Sequence, residues 1–422
     1  MKKTKFFLCA IILLAIFTFN CSCGKDGEEV YINMLRKEYY KSDGQVYEEG
    51  EVQYPSELWG VPKAEPATEF SRYDGIEAVF YESVEFDGKT TKVFAYIGIP
   101  QGATEQNKVP GVVCVHGGGG TAYPGWIKEW TQRGYAAIAM DTEGGVPSFD
   151  GQTSQPHENG GKQRTSFSDE DEPIENQWMY QATAAVIGAN SLLRSYAAVD
   201  ADRIGITGIS WGGVIASIVA GYDDRFAFAV PVYGCLSLEN SHGLFGTNIY
   251  SVRKRAAKLW DTTEPLGKVS TPVLWLNGNV DAHFSADATM RSYEASKKGF
   301  IIIKSFFSHG HQAGWQVEEI YAFADSVTRD KPFLVQSEKP VGHGSLQVKF
   351  DAPKDISVVS AEMYYLKTEI LSESAPWEYL PLSVTDGEIK DLTVPQEAVY
   401  FFIKITDNRG YVTSTNLAIK LS

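Results

Sequence analysis

Cysteine is scarce in this 422-residue chain. There are five, and after Cys9, Cys21 and Cys23 near the start only Cys114 and Cys235 remain. Positive charge is also in deficit, with 38 Lys and Arg against 53 Asp and Glu and a formal net charge of −15. That balance argues against nucleic acid as a partner and against adhesion to an anionic membrane surface. It also makes a strongly acidic polymer a poor substrate unless a local basic patch overrides it. Long hydrophobic runs are missing as well: Phe6 to Phe19 is too short to span a bilayer. No internal repeat is visible. A hydrophobic fraction of 43% is nevertheless ample for a large core.

The short apolar run has a different meaning. Lys2, Lys3 and Lys5 precede it and Cys21-Ser22-Cys23 follows it, before the polar, acidic stretch 24–29. This resembles a lipoprotein signal, in which a cysteine becomes the lipidated first residue. Neither cysteine has a leucine three residues upstream. Ser22 gives Cys23 the small preceding residue such sites favour, whereas Asn20 precedes Cys21. Cys23 is therefore the expected lipidation site and Cys21 the alternative. Export to the bacterial outer membrane or cell surface is expected, with the periplasm as alternative, and the lipid is the only membrane contact. Residues 1–23 form the signal region. Residues 24–70, polar and interrupted by Pro55, Pro62 and Pro66, read as an irregular tether.

Chemistry concentrates in Arg203 to Gly213. An apolar, β-branched run feeds into Gly208-Ile-Ser210-Trp-Gly212, and small residues follow from Val214 to Ala220. Strand, sharp turn and helix are the context in which Gly-x-Ser-x-Gly presents a nucleophile. Ser210 is the expected nucleophile, with a helix N-terminus behind it favouring negative charge.

A second buried-strand pattern, Val109 to His116, runs into Gly117-Gly118-Gly119-Gly120. The run lacks the Lys-Ser/Thr of a phosphate loop and carries no convincing dinucleotide spacing. A glycine loop also lets backbone N–H groups approach a developing oxyanion. Gly118 and Gly119 are the donor candidates here and Trp211 the donor after the nucleophile; His116 reads as structural.

Where the elbow and the glycine loop occur together, the chain order is serine, acid, histidine. Thr271 to Asn277 reads as a strand that ends at Asp281, the candidate acid. Asp261 and Asp287 fall in helical or lid-like sequence. The next strand, Phe300 to Phe307, ends in Ser308-His309-Gly310-His311. One of these two histidines is the expected general base. Glycine before it and a short loop favour His311, with His309 as the alternative base. His283 lies too close to Asp281, and His343 lies beyond the closing helix. His-x-His also suits metal, but no neighbouring Cys or Glu completes a ligand set, so neither metal nor organic cofactor is expected.

The segments Gly208–Gly213, Cys114–Gly120 and Val230–Cys235 resemble the α/β-hydrolase superfamily, nearest to acetyl xylan esterases and dienelactone-hydrolase-like proteins. Dienelactone hydrolases proper use cysteine where this chain has Ser210. The resemblance covers about residues 71–330. It implies a mostly parallel sheet with helices on both faces and a serine esterase that deacylates polysaccharide or oligosaccharide, or another small ester. A peptidase of the prolyl-oligopeptidase type is one alternative, although such enzymes usually carry a propeller for which the tether leaves no room. A non-catalytic surface protein on the same fold is the other. In that strand order Cys114 and Cys235 flank the elbow strand, roughly 9.5 Å apart, beyond the roughly 7 Å limit of a disulfide.

Two insertions, 144–175 and 236–266, are candidate lids. Most tryptophans are expected in the core, with Trp211 and Trp315 nearest the catalytic motifs. After Lys331-Pro332 the pattern turns to alternating strands, so 331–422 is expected to be a small antiparallel β-sandwich of fibronectin-like appearance. Its default role is a spacer or packing partner.

Overall fold

The structure is a computed structural model that describes residues 31–32, 52–239, 241–338, 340 and 345–420. Cys21, Cys23 and His343 lie outside them. The main sheet begins inside the stretch expected to be a tether. β1 (Ala64–Pro66) pairs antiparallel with β2 (Ile76–Phe86), and Val52 and Leu58 are buried in the core. Their apolar side chains are spaced too sparsely to announce an element, yet each finds a site against the sheet. β2 turns into β3 (Lys89–Gly98) at Asp87-Gly88, both at positive φ (49° and 73°), the geometry of a two-residue hairpin.

Six further strands follow: β4 (Val109–Val115), β5 (Ala136–Met140), β6 (Val199–Ile209), β7 (Ala229–Val232), β8 (Val273–Gly278) and β9 (Gly299–Lys304). In space the order is β1-β2-β3-β5-β4-β6-β7-β8-β9, parallel from β5 onward. The longer helices are α1 (Pro124–Gln132), α2 (Trp178–Arg194), α3 (Trp211–Tyr222), α4 (Lys254–Trp260), α5 (Ala286–Ala295) and α6 (Glu318–Thr328). Alternate residues of each strand serve opposite faces. Val113, Val115, Ile138 and Ile206 join the core beneath α2, α3 and α5. Val112, Cys114, Ala137 and Ile209 join the core beneath α1 and α6. Because both faces are covered, these strands read as nearly unbroken apolar runs. Cys114 and Cys235 are free and buried, and burial pushes both thiols up.

The insertions are packed. Phe167 is buried against the rings of Trp178, Trp211 and Tyr250. The Glu170 carboxylate accepts from the N–H groups of Arg255 and Ala256 at 3.1 Å each, stitching one insertion to the first turn of α4 in the other. The indole of Trp260 donates to Gln177 Oε1 at 2.9 Å.

The C-terminal strands are β10 (Leu346–Asp351), β11 (Val358–Leu366), β12 (Glu378–Leu382), β13 (Glu388–Leu392), β14 (Tyr400–Asp407), β15 (Val412–Ser414) and β16 (Ala418–Lys420). One antiparallel sheet runs β16-β14-β11-β12, with β15 also on β14 and Tyr31–Ile32 beside β16. The other holds Gln336–Ser337, β10 and β13. Phe401, Ile403 and Ile405 face the space between the two sheets. Tyr400 and Phe402 point the other way, into the main core. The sandwich therefore packs directly on the α/β part, and the N–H of Ile303 on edge strand β9 donates to Ser414 Oγ at 2.8 Å.

Candidate active site

The Ser210 turn is built by close backbone approach. Between β6 and α3, Ser210 takes φ 57° and ψ −123°, a conformation that costs a non-glycine residue about 1–3 kcal/mol. A Cβ on Gly212 would lie 2.1 Å from the Val115 carbonyl oxygen, so only glycine lets α3 start against β4. The result is a serine 8% exposed, at the carboxyl end of the sheet.

Asp281 sits three residues beyond β8. Its Oδ1 accepts from the N–H groups of His283 and Phe284 at 2.8 Å each, which leaves Oδ2 for an imidazole. That imidazole belongs to His309: Nδ1 lies 2.6 Å from Asp281 Oδ2 and Nε2 lies 3.0 Å from Ser210 Oγ. With Nδ1 protonated, the ring donates to the carboxylate and accepts from the serine. Serine, histidine and acid thus form one continuous hydrogen-bonded chain.

His311, the expected base, is elsewhere. Its Nε2 accepts from the Gly117 N–H at 3.0 Å, and its ring lies 5.1 Å from that of Tyr123. Burial first, and then neighbouring His116, push it down to about 4, so it stays neutral and holds the glycine loop. The reason lies in the turn between the two histidines. Gly310 is fully extended, with φ 176°, and a one-turn helix begins at His311. The Tyr233 hydroxyl donates to the Gly310 carbonyl and accepts from its N–H at 3.3 Å. Tyr233 also lays its ring 4.5 Å from that of His309.

The glycine loop yields one donor by elimination. The Gly117 N–H serves His311, the Gly119 N–H donates to Glu143 Oε1 at 2.7 Å, and the Gly120 N–H donates to the Gly117 carbonyl at 3.0 Å. Gly119 is therefore spent, contrary to expectation. Among the described residues the N–H groups of Gly118 and Trp211 have no acceptor. Both residues line one pocket of about 240 Å³ with Ser210, His309 and His283. A Cβ on Gly118 would stand 2.5 Å from Trp211 Cδ1, so the loop needs glycine there too. Among the described lining residues Arg164 alone carries a fixed charge, and it donates from Nε to Glu143 Oε1 at 2.8 Å.

His116 is structural: it accepts from the Thr142 N–H at 2.9 Å and lies hydrogen-bonded to the Gly117 carbonyl at 2.8 Å. Trp126, Trp178 and Trp260 are core residues. Sequence reasoning missed Tyr233, Glu143 and Arg164. Tyr233 stood in a quoted motif, but its reach to Gly310 depends on the end of β7 lying within hydrogen-bond distance of the loop that follows β9.

Among curated proteins no match was found. The acetyl xylan esterase (AXE1) family matches residues 33–239, and the prolyl oligopeptidase family matches residues 171–352. Among solved structures, the chain resembles an acetyl xylan esterase from Paenibacillus sp. R4, with 18% identity over 62% of this chain and 92% of that one, at a TM-score of 0.46. Acetyl xylan esterase 1 from Thermoanaerobacterium sp. JW/SL YS485 gives 18% identity, 60% and 87% coverage and a TM-score of 0.46. The acylaminoacyl peptidase of Pyrococcus horikoshii gives 18% identity and a TM-score of 0.44 over 62% of this chain but only 43% of that one. The chain is an α/β-hydrolase that resembles the acetyl xylan esterases.

Proposed function

We propose that this chain is a serine esterase that removes short acyl groups, acetyl first among them, from polysaccharide or oligosaccharide substrates. The observation that carries the reading is the chain Asp281–His309–Ser210 opening on a small pocket beside two unspent amides. Ser210 Oγ attacks the ester carbonyl as its proton passes to His309 Nε2. Asp281 stabilises the resulting imidazolium, and the N–H groups of Trp211 and Gly118 receive the oxyanion. The leaving alkoxide takes the proton from His309, leaving an acyl-Ser210. Water then repeats the sequence, releasing the acid and restoring the serine.

Two observations favour an ester over a peptide. The pocket, at about 240 Å³, falls below the usual range for drug-sized ligands and suits a short acyl group. Among the described residues no carboxylate lines it to receive a free amino terminus, as an aminopeptidase would need. The peptidase reading draws on the prolyl oligopeptidase match, which spans Asp281 and His309, whereas the esterase match ends at residue 239. A panel of p-nitrophenyl acetate, acetylated xylo-oligosaccharide, feruloyl and methyl-uronate esters and peptide anilides separates them. Turnover of the anilides with none of the acetyl esters overturns the proposal. Failure of a fluorophosphonate probe to label Ser210 would instead point to a non-catalytic surface protein.

Export and anchoring through Cys23 belong to the same reading, supported by the basic, apolar and cysteine-bearing start of the chain. Cys23→Ser is expected to move the protein from the membrane to the soluble fraction. If only Cys21→Ser does so, the anchor is Cys21; if neither does, there is no lipid anchor.

A further inference from the structure

Resting on the triad reading above, we propose that Asp281, His283 and His309 form an inhibitory site for a zinc-class divalent ion. One ligand atom from each residue lies within 4.8 Å of the others. Two imidazoles and a carboxylate are a usual zinc set. Bonds of about 2.0–2.2 Å place tetrahedral ligands roughly 3.3 Å apart, so modest side-chain rotation closes the site.

His283 is the residue that makes this more than a triad. Its Nδ1 is buried and makes no hydrogen bond among the described residues, an unfavourable state for a buried polar atom that a ligand would offset. Its ring lies 4.6 Å from that of His309. Its backbone is fixed by the bond from its N–H to Asp281 Oδ1 at 2.8 Å. His283 and His309 both line the pocket, which supplies a route for the ion. The more obvious pair, His309 and His311, does not serve, because His311 Nε2 is already occupied by the Gly117 N–H.

Inhibition follows whichever ring nitrogen of His309 takes the ion. On Nε2, the lone pair that receives the Ser210 proton is used. On Nδ1, the ring gives up its Nδ1 proton to solvent and takes one on Nε2, so Nε2 can no longer accept the Ser210 proton. The neutral ring keeps one proton in either case, so charge and protons balance without any redox step.

The test measures ester turnover in buffered free zinc. Wild type should lose at least about tenfold of its rate near 10 μM free Zn²⁺ and recover fully with EDTA. His283→Phe and His283→Ala, each compared with its own metal-free rate, should need about tenfold more zinc or higher for half-inhibition. Cobalt titration of Ser210→Ala should develop tetrahedral visible absorption, and Ser210→Ala/His283→Phe should not. That spectrum needs no turnover, so it stands or falls apart from the esterase reading. Full wild-type activity at about 100 μM free zinc overturns the site. Unchanged sensitivity in both His283 variants overturns it as well, as does an unaltered cobalt spectrum without His283.

Discussion

At the residue scale, the two histidines of the base loop divide the labour. His309 lies between Ser210 and Asp281, and His311 holds the Gly117 amide. His309→Ala should therefore cost kcat at least about 10³-fold, and Ser210→Ala/His309→Ala should be no worse than Ser210→Ala, because triad members act as a unit. His311→Ala should keep fluorophosphonate labelling of Ser210 while kcat falls about tenfold to a hundredfold, as expected when an oxyanion donor loses its support. Steady-state kinetics on the four proteins check both statements, and the reverse ranking would return the base to His311. His311 also sets an acid limit. Its folded value is pushed down to about 4 from an ordinary 6.5, so the neutral ring stabilises the fold fully above 6.5. That contribution is lost as pH falls from 6.5 toward 4. A Tm series across this window should show a steeper acid decline for wild type than for His311→Gln. The sequence brought the base to two residues and could go no further. Their roles are set by the Tyr233 hydroxyl, which reaches Gly310 from 77 positions away in the chain.

At the element scale, the parts legible in sequence are those whose pattern follows from local geometry. The hairpin at Asp87-Gly88, the elbow and the fully buried parallel strands all carry periodicity or turn chemistry of their own. What escaped was structure held by distant partners. The segment around Val52, Leu58 and β1 has no period, yet it is packed against the sheet. The glycine-rich insertion reads as a loop because its order comes from Phe167 among three aromatic rings and from Glu170 on α4. The glycine loop behaves likewise: the donor could be narrowed from Gly118 and Gly119 only once Glu143 was seen holding the Gly119 amide. Gly212→Ala tests the most constrained junction. Its Cβ would meet the backbone oxygens of Val115 and His116 at 2.1 and 2.4 Å, and neither can step aside without moving β4 from β6. We expect a loss of stability of more than about 3 kcal/mol, read as failure to give soluble protein or as a collapse of Tm.

At the scale of the whole molecule, the sandwich supports the two loops that carry Asp281 and His309. The Trp377 indole donates to the Asn279 carbonyl at 3.1 Å, two residues before Asp281. The Tyr364 ring lies 6.0 Å from that of Phe306, three residues before His309. The alternating strands announced a sandwich, but nothing local announces which face it turns toward the hydrolase core. Trp377→Phe keeps most of the buried ring and removes the hydrogen bond. It should lower kcat several-fold with KM little changed, and equal kcat in the two proteins would show that the acid loop stands unaided.

The contact between Ile303 and Ser414 has a consequence for how molecules meet one another. A nine-stranded sheet has two borders, and each is a row of peptide groups on which a neighbour's strand could grow. One border is β9, where β15 lies alongside and Ser414 Oγ takes up the Ile303 N–H. The other is β1, three residues long and carrying Glu65 and Pro66, the second of which has no N–H to offer. The sandwich thus acts as a stopper on the border that is long and apolar enough to polymerise. At high concentration the intact chain would keep its sheets from joining, and a chain cut near Asp330 would expose a sticky margin and precipitate.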